Sequence, residues 1–193
     1  MFSWDARRAA LVGALCIAAA GGCATPAADA PVPGADPRFA QAEGALEAGA
    51  NGRAADVLAG LARDYPELAA PAINLGIALA AQGRDADAEA AFRRALAAEP
   101  GHPVALAELA IVLRRQGRLD AAEEAYRAAL ARDPGYGLAW RTLGVLMDVY
   151  LGRPEEALDC YRRYRALAGP GDPEVEKWIA ELEIRLAAGQ ARR

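Results

Sequence analysis

A 34-residue internal period constrains this chain more than anything else in its sequence. When "INLGIALAAQGRDADAEAAFRRALAAEP" (73–100) is set over "AELAIVLRRQGRLDAAEEAYRAALARDP" (107–134), Leu75 and Gly76 fall on Leu109 and Ala110, and Gln82-Gly83 falls on Gln116-Gly117. Ala88, Phe92, Ala95, Leu96 and Pro100 fall on Ala122, Tyr126, Ala129, Leu130 and Pro134. A third copy opens with Trp140, Leu143 and Gly144 and, after one inserted residue, continues to Ala157 and Tyr161. A unit this short cannot bury its own apolar face, so neighbours must stack, and three copies meet the minimum for a stable stack. Small residues at recurring sites let two antiparallel helices approach closely, glycine permits the turn between them, and proline ends the second helix. With aromatic residues at only 6% of the chain, the core must be built by such close approach. The reading is all-α.

These residues resemble the tetratricopeptide repeat, whose pattern is W-x-x-L-G-x-x-Y, then A-x-x-x-F, then a terminal proline. The resemblance implies a right-handed superhelical solenoid of antiparallel helix pairs. Repeats are assigned to 69–102, 103–136 and 137–170, the last with the one-residue insertion. Upstream, 37–68 reads as a degenerate first repeat: Pro66 lies 34 residues before Pro100, and Ala54, Leu58 and Leu61 are in register with Ala88, Phe92 and Ala95. Gln41 stands there in place of leucine. Downstream, Asp172 as N-cap, Pro173 at the first helical position, and Val175, Trp178, Ile179, Leu182 and Leu186 along one face predict a helix over 171–188 that caps the stack. Residues 189–193 are left as a tail. Tyr164 replaces a small residue, which predicts looser packing of the third pair or a different way of receiving the capping helix.

In this family the first helices of successive pairs line a concave groove. Carried over by position, the groove comprises Asn74, Ile77 and Ala81, then Glu108, Ile111 and Arg115, then Thr142, Val145 and Val149. Ile77, Ile111 and Val145 recur at the repeat spacing as an apolar stripe flanked by Arg114, Arg115 and Arg141. Such a surface suits an extended or helical peptide with apolar anchors and some acid character. The alternative is that these side chains pack between helices or face water. Some members clamp a C-terminal carboxylate with lysine and asparagine. Those places hold Ile73, Ile77 and Ala107 here, so no such clamp is expected.

The N-terminus raises a separate question. Arg7 and Arg8 precede an apolar stretch from Ala9 to Ala20, which reads as a secretory leader too short to span a bilayer permanently. The following "AGGC" resembles a bacterial lipoprotein signal, which implies that residues 1–22 are removed and that Cys23 is lipidated. Several acyl chains hold a protein stably at a membrane where one does so only marginally. Two other readings stay open: an ordinary leader cleaved nearby, for example after Ala24, and a disulfide between Cys23 and Cys160. By the family's sorting rule Ala24, not aspartate, beside the cysteine implies the outer membrane, facing the periplasm. Residues 23–36 are rich in alanine and proline and form a tether with a reach of about 40 Å.

Charge and residue inventory exclude several functions. The formal net charge is −4, and without the leader 20 basic residues face 25 acidic ones. Nucleic acid needs a basic footprint that is missing here. Beyond the leader there is no serine, and His102 is the chain's one histidine, so no catalytic residue and no metal ligand set is assigned, and no cofactor or small-molecule substrate is expected. His102 reads as a solvated loop residue and Cys160 as a small packing residue. Adjacent helical residues diverge by about 100°, so Glu123-Glu124 and Glu155-Glu156 read as a solvated outer face. The expected protein is a lipid-anchored, non-catalytic adaptor for a protein or peptide of the cell envelope. Resemblance offers secretin-assembling pilus lipoproteins, adaptors for peptidoglycan hydrolases and, from "EVEKWIAEL", TonB-system components. A soluble secreted enzyme or binding subunit with an ordinary leader is the rival class.

Overall fold

The computed structural model describes residues 36–169 and 171–191. The leader, Cys23 and nearly all of the tether lie outside the described residues. Four antiparallel pairs follow one another: α1 (Pro37–Glu47) with α2 (Asn51–Asp64), α3 (Ala69–Ala81) with α4 (Asp85–Ala98), α5 (Pro103–Arg115) with α6 (Leu119–Arg132), and α7 (Gly137–Val145) with α8 (Pro154–Ala168). A final helix, α9 (Pro173–Gln190), packs on α8. It runs past the expected 188, so residues 189 and 190 belong to the cap and not to a tail. Among the described residues there is no strand, and no helix is long and apolar enough to cross a membrane.

The turn inside each pair is made the same way. Gly49, Gly83, Gly117 and Gly152 all adopt positive φ, between 63° and 77°, just past the end of the first helix, a conformation that costs glycine least. The first three are spaced by the repeat. Gly152 comes one residue late.

That extra residue is absorbed in a π turn, Leu146–Tyr150, continuous with α7. The Leu151 amide donates to the Leu146 carbonyl at 3.0 Å, a five-residue span in place of the α-helical four. A single inserted residue is accommodated in this way when both flanking turns are held in register.

Within pairs, the small-residue sites act as predicted. A methyl group on Gly76 would lie 2.5 Å from the Phe92 ring, and one on Gly144 would lie 2.5 Å from the Tyr161 ring. Both rings are fully buried, as is Tyr126 of the middle repeat, whose partner position is Ala110. In the first pair Ala54, Leu58 and Leu61 are buried while Gln41 is exposed. Among the described residues no earlier pair covers Gln41, so leucine is not needed there.

Tyr164 does not loosen the third pair. Its hydroxyl donates to Asp172 Oδ2 at 3.1 Å, and its ring lies over the open side of Gly137. Asp172 also caps α9 by accepting from the amides of Glu174 and Val175 at 3.2 Å and takes the Arg141 Nε at 3.2 Å. Burial pushes the Asp172 carboxyl up, but the Val175 amide, Tyr164 and Arg141 together hold it below the usual carboxylate range. The opposite end of the array has a matching knot. Asp36 caps α1 and receives Arg38 and the Tyr65 hydroxyl, the latter at 3.1 Å.

Candidate interaction surface

α3, α5 and α7 are the first helices of successive pairs, and Ile77, Ile111 and Val145, one from each, are half-buried and rest on the core. Asn74 is half-buried, where α1 approaches α3 beside Phe39, Leu46 and Pro71. Ala81 is exposed at the end of α3. Of the three positions that would hold a carboxylate clamp, Ile73 and Ala107 are buried and Ile77 is half-buried, and all three are apolar.

The polar flank of the stripe differs from expectation. Glu108 is buried rather than displayed. Arg141 is committed to the cap: it binds Asp172, reaches Glu174 Oε2 at 2.9 Å and lies 5.0 Å from the Trp178 ring centroid. Arg115 pairs with Asp85 across two repeats. Thr142 turns its hydroxyl back to the Leu138 carbonyl at 2.8 Å, a local bond open to any helical threonine. Arg115 is thus claimed by a neighbouring repeat, Arg141 by the final helix and Thr142 by its own helix.

Arg114 is differently placed. Its Nη1 donates to the Tyr150 hydroxyl at 2.7 Å and its guanidinium carbon lies 5.0 Å from the centroid of the same ring. Its Nε is buried, and the buried Tyr126 hydroxyl lies within reach of the Arg114 and Thr142 side chains. Burial pushes the Tyr126 phenol up to about 12, against the opposing influence of Thr142 and Arg114. Val149 and Tyr150, both from the π turn, are exposed, and Tyr150 is the one that meets Arg114.

The outer faces are tied by a repeated ion pair. Arg118 reaches Glu89 Oε1 at 2.8 Å, and Arg153, one inserted residue later in phase, reaches Glu123 Oε1 at 3.0 Å. Each acid is also met by the arginine one turn on, Arg93 or Arg127. Burial pushes the Glu89 carboxyl up, but Arg118 and Arg93 outweigh it and hold the group at about 2. Glu123 is therefore not part of a solvated face. It is buried because the next repeat's turn lays Arg153 over it. Glu124, Glu155 and Glu156 are exposed, as expected of them.

Two other side chains need restating. His102 is buried, not solvated: it is the N-cap of α5, its Nδ1 accepting from the Ala105 amide at 3.4 Å, with Pro103 at the first helical position. The signal was readable, since a side chain that can accept a hydrogen bond directly before proline marks a helix start. Cys160 is buried and free, and burial pushes its thiol up to about 12.

Models of the tetratricopeptide repeat match residues 39–103 and 79–144, together more than half of the sequence. The chain belongs to the tetratricopeptide-repeat family. Members are typically non-catalytic scaffolds for protein–protein interaction. The fold of this tetratricopeptide-repeat protein is similar to that of MamA, with a TM-score of 0.66 and 18% identity over 76% of this chain and 84% of that one. It is similar to pilF of Pseudomonas aeruginosa, with a TM-score of 0.70 and 20% identity over 79% and 69%. It is also similar to the first repeat domain of Spaghetti (RPAP3) bound to the HSP90 peptide SRMEEVD, with a TM-score of 0.57 and 24% identity over 62% and 93%. At these identities the likeness is one of fold. No curated protein sequence matches.

Proposed function

We propose that this tetratricopeptide-repeat protein is a non-catalytic adaptor of the bacterial cell envelope, which holds a partner protein or peptide against its inner face. The observation that carries this reading is the stripe of Ile77, Ile111 and Val145. Three apolar side chains recur at the repeat spacing on the first helices of successive pairs and stay partly exposed. An extended or helical segment with apolar anchors matches that spacing. The peptide-bound structure of RPAP3 supports peptide recognition by this fold, and the buried Ile73 and Ala107 argue against a carboxylate clamp as the means.

The leader and the "AGGC" motif support attachment of Cys23 to lipid, and Ala24 supports the outer membrane, facing the periplasm. In this reading the lipid sets location, the alanine- and proline-rich tether sets reach, and the repeats recognise. Assembly of a secretin, docking of a hydrolase and association with a TonB-type system all remain within it.

The test is capture from crosslinked envelopes by the full chain, with Ile111→Glu and Cys23→Ser as comparisons. Ile111→Glu should lose the partner while helix content is kept. Cys23→Ser should release the protein from membranes, and the wild-type N-terminus should carry acyl chains by mass spectrometry. Unchanged capture by Ile111→Glu sinks the inner-face reading, and an unmodified N-terminus sinks the anchor.

A further inference from the structure

Asn51 and Gly52 open α2, and the fold asks for neither. Asn51 does not cap the helix: the N-cap is Ala50, and no side chain caps α2. Gly52 is exposed, its φ is not positive, and a methyl group built on it would meet nothing within 4 Å. The turn before α2 is made by Gly49 instead. What the pair does possess is reactivity. Asparagine is thermolabile, and a following glycine puts no side chain in the way of attack by its own amide nitrogen.

In that attack the Gly52 nitrogen bonds to Asn51 Cγ and closes a cyclic imide. The bond from Cγ to the side-chain nitrogen breaks, and ammonia leaves with the proton that the Gly52 amide gives up. Water then opens the imide. Addition at Cγ yields aspartate on an unchanged main chain; addition at the main-chain carbonyl yields isoaspartate, whose main chain runs through Cγ and is one carbon longer. The start of α2 leaves this route open. Gly52 is the second residue of the helix, so its amide is among the donors that a helix start leaves without an intrahelical acceptor, and the turn-long bonds begin with Ala54 donating to the Ala50 carbonyl at 3.0 Å. Helix ends also open at less cost than helix middles. The chain's other asparagine, Asn74, lies in the middle of α3 and precedes leucine.

The two products fall differently on the fold. Each of the other second helices carries an acid in its first turn, Asp85 and Asp87 in α4, Asp120 in α6, Glu155 and Glu156 in α8, and α2 carries none. Asn51 lies 34 residues before Asp85, so aspartate there supplies the missing charge at the positive end of the helix. Isoaspartate instead takes the Asn51 carbonyl out of the main chain. That carbonyl accepts from Gln82 Nε2 at 3.1 Å, a bond that ties the end of α3 to the start of α2.

We infer that Asn51-Gly52 is a site of spontaneous, water-dependent deamidation in the folded protein, and that its products act in opposite directions: aspartate completes the start of α2, and isoaspartate loosens its tie to α3.

The test holds the full chain at mildly alkaline pH, folded and in parallel in urea, and follows the tryptic peptides by chromatography and mass spectrometry. Asn51 is the one asparagine of Phe39–Arg53, and Asn74 the one asparagine of Asp64–Arg84. In the folded chain the first peptide should convert to two products, each with the mass of an amide turned acid, while the second stays unchanged. Gly52→Ala should slow the conversion at least tenfold with no loss of helix by circular dichroism. Asn51→Asp should raise the melting temperature, and aged wild-type protein enriched in isoaspartate should melt below fresh protein.

Conversion in urea alone shows that the fold protects Asn51 and overturns the site. Equal rates in Gly52→Ala and wild type overturn the attack by the Gly52 amide. A lowered melting temperature in Asn51→Asp overturns the effect assigned to aspartate, and an unchanged one in the isoaspartate-rich protein overturns the effect assigned to isoaspartate.

Discussion

The two middle pairs, α3–α4 and α5–α6, and the terminal unit α7–α9 are built from one plan and solve different problems. In the middle, each pair is held by its neighbours on both sides: small residues under aromatic rings within a pair, and ion pairs such as Arg115–Asp85 and Arg118–Glu89 between pairs. The terminal unit has no further pair among the described residues. It replaces that neighbour with a single helix, clasped at one end by Asp172 with Arg141 and Tyr164, and at the other by Asp148 with Arg185. Between the clasps it carries a π turn that the middle pairs lack. Regularity is therefore kept where packing depends on it. Departure is confined to the rim, where side chains can be re-aimed without disturbing the core.

The strongest challenge to that comparison is to remove the aromatic ring from each region. Phe92→Ala and Tyr161→Ala each delete a fully buried ring and should cost about 3–5 kcal/mol. Their denaturation curves should differ in form. Phe92 sits inside the array and its loss should divide the transition, whereas loss of Tyr161 also removes the support of Trp178, 5.3 Å away, and should free α9 first. If both variants unfold in one coincident transition, the two regions are not separate stability units.

Crowding comes next. Gly76→Ala and Gly144→Ala push a methyl group into a ring and should cost about 1–3 kcal/mol each by urea titration. The middle repeat already carries Ala110 against Tyr126, so Ala110→Gly should loosen that pair instead of relaxing it. A stabilising Gly144→Ala would show that the terminal pair has slack that the middle does not.

A smaller effect is expected at the junction of the middle pairs. His102→Ala removes the N-cap of α5 and should cost about 1 kcal/mol, while His102→Asn should restore most of it. Equal losses in both variants would assign His102 to packing and not to capping.

Acid sharpens the contrast least in energy but most in position. The Glu89 carboxyl lies below its ordinary value, so it contributes stability above the unfolded value near 4.5 and loses it as pH falls towards about 2. Thermal stability should fall through that window, and Glu89→Gln should flatten the decline. A decline of unchanged slope would place the acid sensitivity elsewhere, with the Asp36 knot, held at about 2 first by Arg38, as the next group to change.

Much of this architecture was legible because a repeat writes its contacts into its spacing. Gly76 with Phe92 and Gly144 with Tyr161 are sixteen or seventeen residues apart and contact each other for the same reason in each copy. The inserted residue was readable too, as a glycine arriving late. What the spacing cannot express is contact between non-equivalent residues. Arg141 meeting Trp178, Arg185 meeting Asp148 and Arg114 meeting Tyr150 depend on a helix and a turn that have no counterpart in the pattern. Hence the spacing of Ile77, Ile111 and Val145 was legible, and the engagement of Arg114, Arg115 and Arg141 was not. Glu108 and Glu123 were misplaced because position on a single helix says nothing of what the following repeat lays over it.

The most direct test of the account is hydrogen exchange on the full chain, free and bound to the partner that it captures. The prediction is slowed exchange in α5, α7 and the Leu146–Tyr150 turn, with little change in α4, α6 and the middle of α8. Protection confined to α4, α6 and α8, with the inner helices unchanged, would contradict it and move recognition to the convex face.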